Sequence, residues 1–178
     1  VKNKAMQTRL SDEVMDFIHS RKSLHLATLG ADGAPFASYA PFGIGEDCLY
    51  VLLSEIATHG SNLQRDARAS VLVVEDEGSA DELFARIRVN YSVQAQLLAY
   101  NSEEWRVALQ CLTSRLGSRS ANLSKLEDFK MFRLVPKGGR YVKGFGRAYS
   151  LAGETLAGEI LTHLTDGHKP RAAELDKA

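Results

Sequence analysis

Cysteine is almost absent from this 178-residue chain. Only Cys48 and Cys111 occur, in neither a CxxC spacing nor a dense framework, which excludes a thiolate metal site and a disulfide scaffold and fits a reducing cytoplasm. Neither sign of charge is in excess: 22 Lys and Arg balance 22 Asp and Glu. That excludes the basic face on which phosphate-driven nucleic-acid binding depends. No apolar run approaches the ~20 residues of a membrane helix, and the opening VKNKAMQTRLSDEV is polar where a signal peptide would be apolar. Internal repeats and low-complexity linkers are lacking too, so residues 1–178 are expected to form one domain. The expectation is a cytoplasmic protein with neither a nucleic-acid nor a membrane partner.

What the chain does contain is a succession of short elements. Ser11 followed by Asp12 and Glu13 predicts a helix N-terminus, since a side-chain oxygen caps free amides and acids suit the positive end of the dipole. Val14, Phe17, Ile18 and Arg21 carry that helix forward. Leu24 to Leu29, the turn Gly30-Ala31-Asp32-Gly33 and Phe36 to Phe42 predict a hairpin. Leu49 to Ser54 is a third strand. A polar helix from about Ala57 to Asp66 runs into the strand Ala69 to Val74, and Glu75-Asp76-Glu77 with Asp81-Glu82 reads as a solvated loop. Phe84 to Ala99 alternates as a strand with Arg86, Arg88 and Asn90 on one face. Ser102-Glu103-Glu104 caps a helix carrying Trp105, Ala108, Leu109 and Leu112 and ending near Gly117. Gly153-Glu154-Thr155 opens a last helix reaching about Leu164.

The stretch Leu126 to Tyr149 carries the most information. Phe129, Met131, Phe132, Leu134 and Val135 precede Pro136-Lys137-Gly138-Gly139, and Tyr141 and Val142 follow it, which predicts two strands paired across a turn. Gly144 and Gly146 around Phe145 suggest a bulge or a close backbone approach, and Arg147 to Ser150 one more short strand. Six or seven strands with three or four peripheral helices make a mainly β barrel. Such a small barrel has little internal room, so a large ligand belongs on its outer wall or between two copies.

This order of elements, with SEIATHGSNLQRDARASVLV at its centre, resembles the FMN-binding split barrels of the pyridoxamine 5′-phosphate oxidase class. Within that class, SYAPF (Ser38 to Phe42), FARIR (Phe84 to Arg88), DFKMFRL (Asp128 to Leu134), YVKGFGRAY (Tyr141 to Tyr149) and HLTDGH (His163 to His168) are most similar to haem-utilisation proteins of the HugZ/HutZ type. The resemblance implies a six-stranded antiparallel split β-barrel that forms a homodimer, with the cofactor clefts at the subunit interface. In the flavoenzyme members a Ser/Thr-x-Lys-x-x-Asn-Leu run holds the flavin phosphate. Here His59 takes the lysine's place and Ala57 the hydroxyl's, so a full positive charge is lost.

The haem-utilisation branch implies that His168, in the tail 165–178, ligates the iron of haem b. It implies that Asp128 of the other subunit hydrogen-bonds the second ring nitrogen of that histidine, and that Arg88 lies on the open side of the iron. Haem would be oxidised to a biliverdin-type product with release of iron, using an external electron donor; a haem-delivery protein is a further partner compatible with this. Thr28 is placed to hydrogen-bond Asp128 across the interface. Two alternatives stand beside this one: an FMN-dependent oxidoreductase with Arg86, Ser61 and Asn62 around the phosphate, and a non-catalytic haem carrier or storage protein.

The chemistry of the haem assignment is coherent. A neutral imidazole suits haem iron, and a carboxylate on its other nitrogen fixes the tautomer and raises its basicity. On local sequence alone, Asp128 would merely turn the chain into a strand and His168 would decorate a tail. Arg86 and Arg88 suit propionates or a phosphate, or else form exposed ion pairs with the acidic run worth under ~1 kcal/mol. His163 is expected to be structural, and the spacing offers His19 and His25 no partner.

Overall fold

A computed structural model of the chain describes residues 2–163. Helix α1 (Lys2–Ser20) starts well before Ser11, because Lys, Ala, Met, Gln and Arg favour helix and nothing before Ser11 breaks one. Leu10, Val14 and Ile18 are its buried stripe, at the four-residue spacing of one helix face. Strands β1 (Ser23–Leu29) and β2 (Pro35–Pro41) form the expected hairpin, in register from Ser23↔Pro41 to Leu29↔Pro35. Then follow β3 (Gly43–Ile44), β4 (Leu49–Ser54), α2 (Thr58–Arg65), β5 (Arg68–Val74), β6 (Arg88–Leu97), α3 (Glu103–Leu116), α4 (Ser118–Leu123), β7 (Phe129–Gly144), β8 (Arg147–Ala152) and β9 (Glu159–His163).

All strands join one sheet in the order β2-β1-β5-β6-β7-β4-β3, with β8 on the free side of β7 and β9 on β8. Every pairing is antiparallel, and β2 comes back against β4. The six strands from β2 to β4 are the split barrel. Its interior is filled by Leu24, Leu26, Val51, Val73, Val89 and Tyr91, closed at one side by α1. A second apolar layer lies under α3, where Trp105, Ala108 and Leu112 meet Tyr50 and Met131. Ser102 accepts a hydrogen bond from the Trp105 amide at 3.2 Å, the predicted cap.

Three expectations are corrected. The hairpin across Pro136-Lys137-Gly138-Gly139 does not exist: β7 runs straight through it. Strand β6 pairs with both halves, from Leu97↔Phe132 to Val93↔Pro136 and from Tyr91↔Gly139 to Arg88↔Val142. Between them Ser92 faces both Lys137 and Gly138, a bulge, with Gly138 at φ +105°. Proline and glycine suit a bulge for the same reasons they suit a turn, one donating no ladder hydrogen bond and the other tolerating positive φ. The real reversal is the next one, Phe145-Gly146, joining β7 to β8.

The strand expected from Phe84 begins only at Arg88, after a 3-10 turn at Leu83–Ala85. There Glu82 accepts from the Phe84 amide at 2.8 Å and diverts the backbone. The last predicted helix is strand β9: its residues tolerate either state, and the open edge of β8 offers backbone partners that an isolated helix cannot match. The structure also adds α4, an extra short helix between α3 and β7.

Candidate functional site

The turn that feeds β7 is fastened to the end of β4. Ser54 donates its hydroxyl hydrogen to Asp128 Oδ2 at 2.6 Å, and the Glu55 amide donates to the Asp128 carbonyl at 2.7 Å. The same Ser54 oxygen accepts from the Ile56 amide at 3.2 Å. Asp128 is thus half-buried and held by side chain and backbone at once. Helix α2 presses onto this corner at Gly60, where an added Cβ would collide with the Ser54 carbonyl.

One turn of α2 carries a second polar pair. His59 Nδ1 lies 3.0 Å from Ser38 Oγ, whose single hydrogen goes to the Leu26 carbonyl at 3.2 Å. The hydroxyl therefore accepts, Nδ1 carries the proton, and Nε2 of the neutral ring keeps its lone pair. Burial lowers the His59 pKa below its ordinary value and favours this neutral form.

Between these two pairs opens a cavity of about 450 Å³. Tyr39, Pro41, Leu52, Leu116, Leu123 and Phe129 give it apolar walls, and Ser54, His59 and Arg119 supply polar groups. Arg119, on α4, is exposed.

The other expected site residues divide into two sets. Asn62 and Thr28 are 2% and 1% exposed and bond each other, Asn62 Nδ2 donating to Thr28 Oγ1 at 3.0 Å. Arg65 donates to Asn62 Oδ1 at 3.2 Å, and Ser61 donates to the Thr58 carbonyl at 3.1 Å. Thr28 is buried within its own copy, so the expected bond to Asp128 of a second copy would fall to a hydroxyl that already accepts from Asn62. Arg86 and Arg88 do share a groove, with His25, Leu72, Val74 and the 89% exposed Phe84. Arg86 donates to the Glu75 carbonyl and pairs with Glu77 at 3.5 Å; Arg88 donates to the Arg86 carbonyl at 2.9 Å. No residue of α2 lines that groove, so within one copy Arg86 stands apart from Ser61 and Asn62.

His163 is on β9, not on a helix. Its Nε2 lies 3.2 Å from the Gly146 carbonyl and its ring is tilted against Tyr149. His168 and the tail 165–178 lie outside the described residues. Among the described residues no three His, Cys, Asp or Glu side chains cluster to hold a metal ion, and no helix is long and apolar enough to cross a membrane.

Residues 10–143 match the family model described as pyridoxamine 5′-phosphate oxidase. The chain belongs to that family. Within it, the chain is of the HutZ haem-utilisation type: it is 40% identical to the heme oxygenase HutZ of Vibrio cholerae over 95% of both chains. The crystal structure of HutZ, there described as a heme storage protein, superimposes with a TM-score of 0.68 at 39% identity, covering 71% of this chain and 89% of that one. ChuZ of Campylobacter jejuni superimposes with a TM-score of 0.76 at 30% identity over 83% of this chain and 61% of its own. A heme binding protein of Mycobacterium smegmatis gives 0.75 at 27% identity, over 83% and 60%.

For this member of the pyridoxamine 5′-phosphate oxidase family, sequence reasoning missed Ser54, Ser38 and Arg119. Ser54 meets a residue 74 positions away, and no local pattern announces such a contact. His59 had a signal, its place in the family's phosphate-binding run.

Proposed function

We propose that the protein binds haem b between two copies of the chain and degrades it oxidatively, releasing iron. His168 of one copy is the axial ligand, Asp128 of the other receives the second ring N–H of that histidine, and Arg88 stands on the open face. What carries the reading is the 40% identity, over nearly the whole chain, with a protein named heme oxygenase. The corner at Asp128 fits it. Ser54 engages only Oδ2, which leaves Oδ1 to accept from an imidazole, and a carboxylate so held orients the ring and strengthens it as a base. The adjoining apolar cavity excludes water from a flat apolar ligand. Bound haem supplies the iron at which dioxygen is activated and is itself the molecule oxidised.

The test is a titration of the full chain with haemin and, separately, with FMN. Haemin is expected to give a Soret band that His168→Ala abolishes or shifts strongly, while Asp128→Asn keeps the band and slows biliverdin formation. An unchanged spectrum in the His168 variant removes that residue from the site. The description of the HutZ crystal structure as a heme storage protein favours one second reading, a carrier. Stoichiometric haemin binding with no turnover in the presence of ascorbate would establish it.

A further inference from the structure

The cavity beside Asp128 has one polar group without a task. Arg119 projects from α4 at the cavity lining, and among the described residues it makes no hydrogen bond or ion pair. The other arginines near candidate sites are engaged: Arg65 on Asn62, Arg86 on Glu75 and Glu77, Arg88 on the Arg86 carbonyl. The remaining walls are apolar apart from Ser54, Ser120 and His59. Ser54 is tied to Asp128 and His59 to Ser38, and burial favours the uncharged form of His59. One fixed cation at an otherwise uncharged, mainly apolar cleft selects a ligand with a flat apolar body and an anionic edge. A guanidinium meets a carboxylate with two parallel hydrogen bonds, which fixes the orientation of the ligand as well as adding affinity.

The geometry points to Arg119 as the anchor for a porphyrin carboxylate, with the macrocycle lying along Leu52, Leu116, Leu123 and Phe129. This rests on the haem reading of the same site and adds to it the residue that sets which edge of the macrocycle enters first. It places no demand on the iron, so it can be tested without it.

Metal-free protoporphyrin IX carries both carboxylates and no iron. Its binding to the full chain, followed by porphyrin fluorescence, is expected to weaken roughly tenfold in Arg119→Ala, as the loss of one charge-assisted pair implies. Arg119→Lys recovers part of the loss. The dimethyl ester, which lacks the charges, binds wild type and Arg119→Ala alike. Equal affinity of wild type and Arg119→Ala for protoporphyrin IX overturns the inference, as does an equal loss for the ester or no binding of protoporphyrin IX by wild type. Failure of the haem reading registers elsewhere, as a haemin Soret band indifferent to His168→Ala. Arg119 is exposed, so its replacement leaves the fold intact, and thermal melting of each variant verifies this.

Discussion

His59 is a base kept in its uncharged form by burial. Its pKa in the folded chain lies below the ordinary 6.5, the value regained on unfolding. As the pH drops past about 6.5 the unfolded chain takes the proton first, so stability falls with falling pH. The contribution of His59 is complete above the unfolded pKa and is lost as the pH falls through the folded one. Urea unfolding at about pH 7.5 and about pH 5.5 should show wild type losing more stability than His59→Gln over that interval. An identical loss in both proteins would mean that the imidazole is freely solvated.

Strand β7 serves three neighbours: its first half pairs with β4, its second with β8, and β6 runs along both. The close approach at Gly139 makes this possible, since a Cβ there would collide with the Asn90 carbonyl and crowd the Tyr91 ring. Gly139→Ala is expected to destabilise by about 2–3 kcal/mol, the usual cost of forcing atoms into a packed interior. Gly78→Ala, with nothing within 4 Å of an added Cβ, should change stability by under about 0.5 kcal/mol. Chemical denaturation of the two variants checks both. Much of the fold was legible element by element. Alternation marked the body of β6, the turn Gly30-Ala31-Asp32-Gly33 marked the hairpin of β1 and β2, and Ser102 marked the start of α3. Strand β9 was misread because its state depends on an edge supplied by β8. The middle of β7 was misread because its proline and glycine have two structural uses that only the neighbouring strand can tell apart. The site was less legible: the role proposed for Asp128 rests on family resemblance alone, and its tie to Ser54 is a product of the fold.

At the scale of the whole molecule, the proposed site is divided between two copies, His168 of one and Asp128 of the other. Division of this kind has a consequence that a site within one chain lacks. Mixing His168→Ala with Asp128→Asn protein yields heterodimers in which one site carries both changes and the other carries neither. After subunit exchange, roughly a quarter of all sites should be intact, as random pairing of a twofold assembly requires. The mixture should therefore recover biliverdin formation that neither variant shows at full rate alone. No gain on mixing would place both residues in the same subunit's site.

The bulge opposite Ser92 also decides which way the rest of β7 faces. Before it the residues turned into the barrel carry even numbers, Phe132 and Leu134; beyond it the inward residue is Tyr141, an odd one. A strand alternates sides with unbroken parity unless a residue is added or removed, so the extra residue acts as a half-step that exchanges the two faces. Deleting Lys137 would remove the extra residue and let β7 alternate without a bulge, with Tyr141 still turned inward; straightening the full-length strand is what would rotate Tyr141 out into water and bring Arg140 toward the barrel interior.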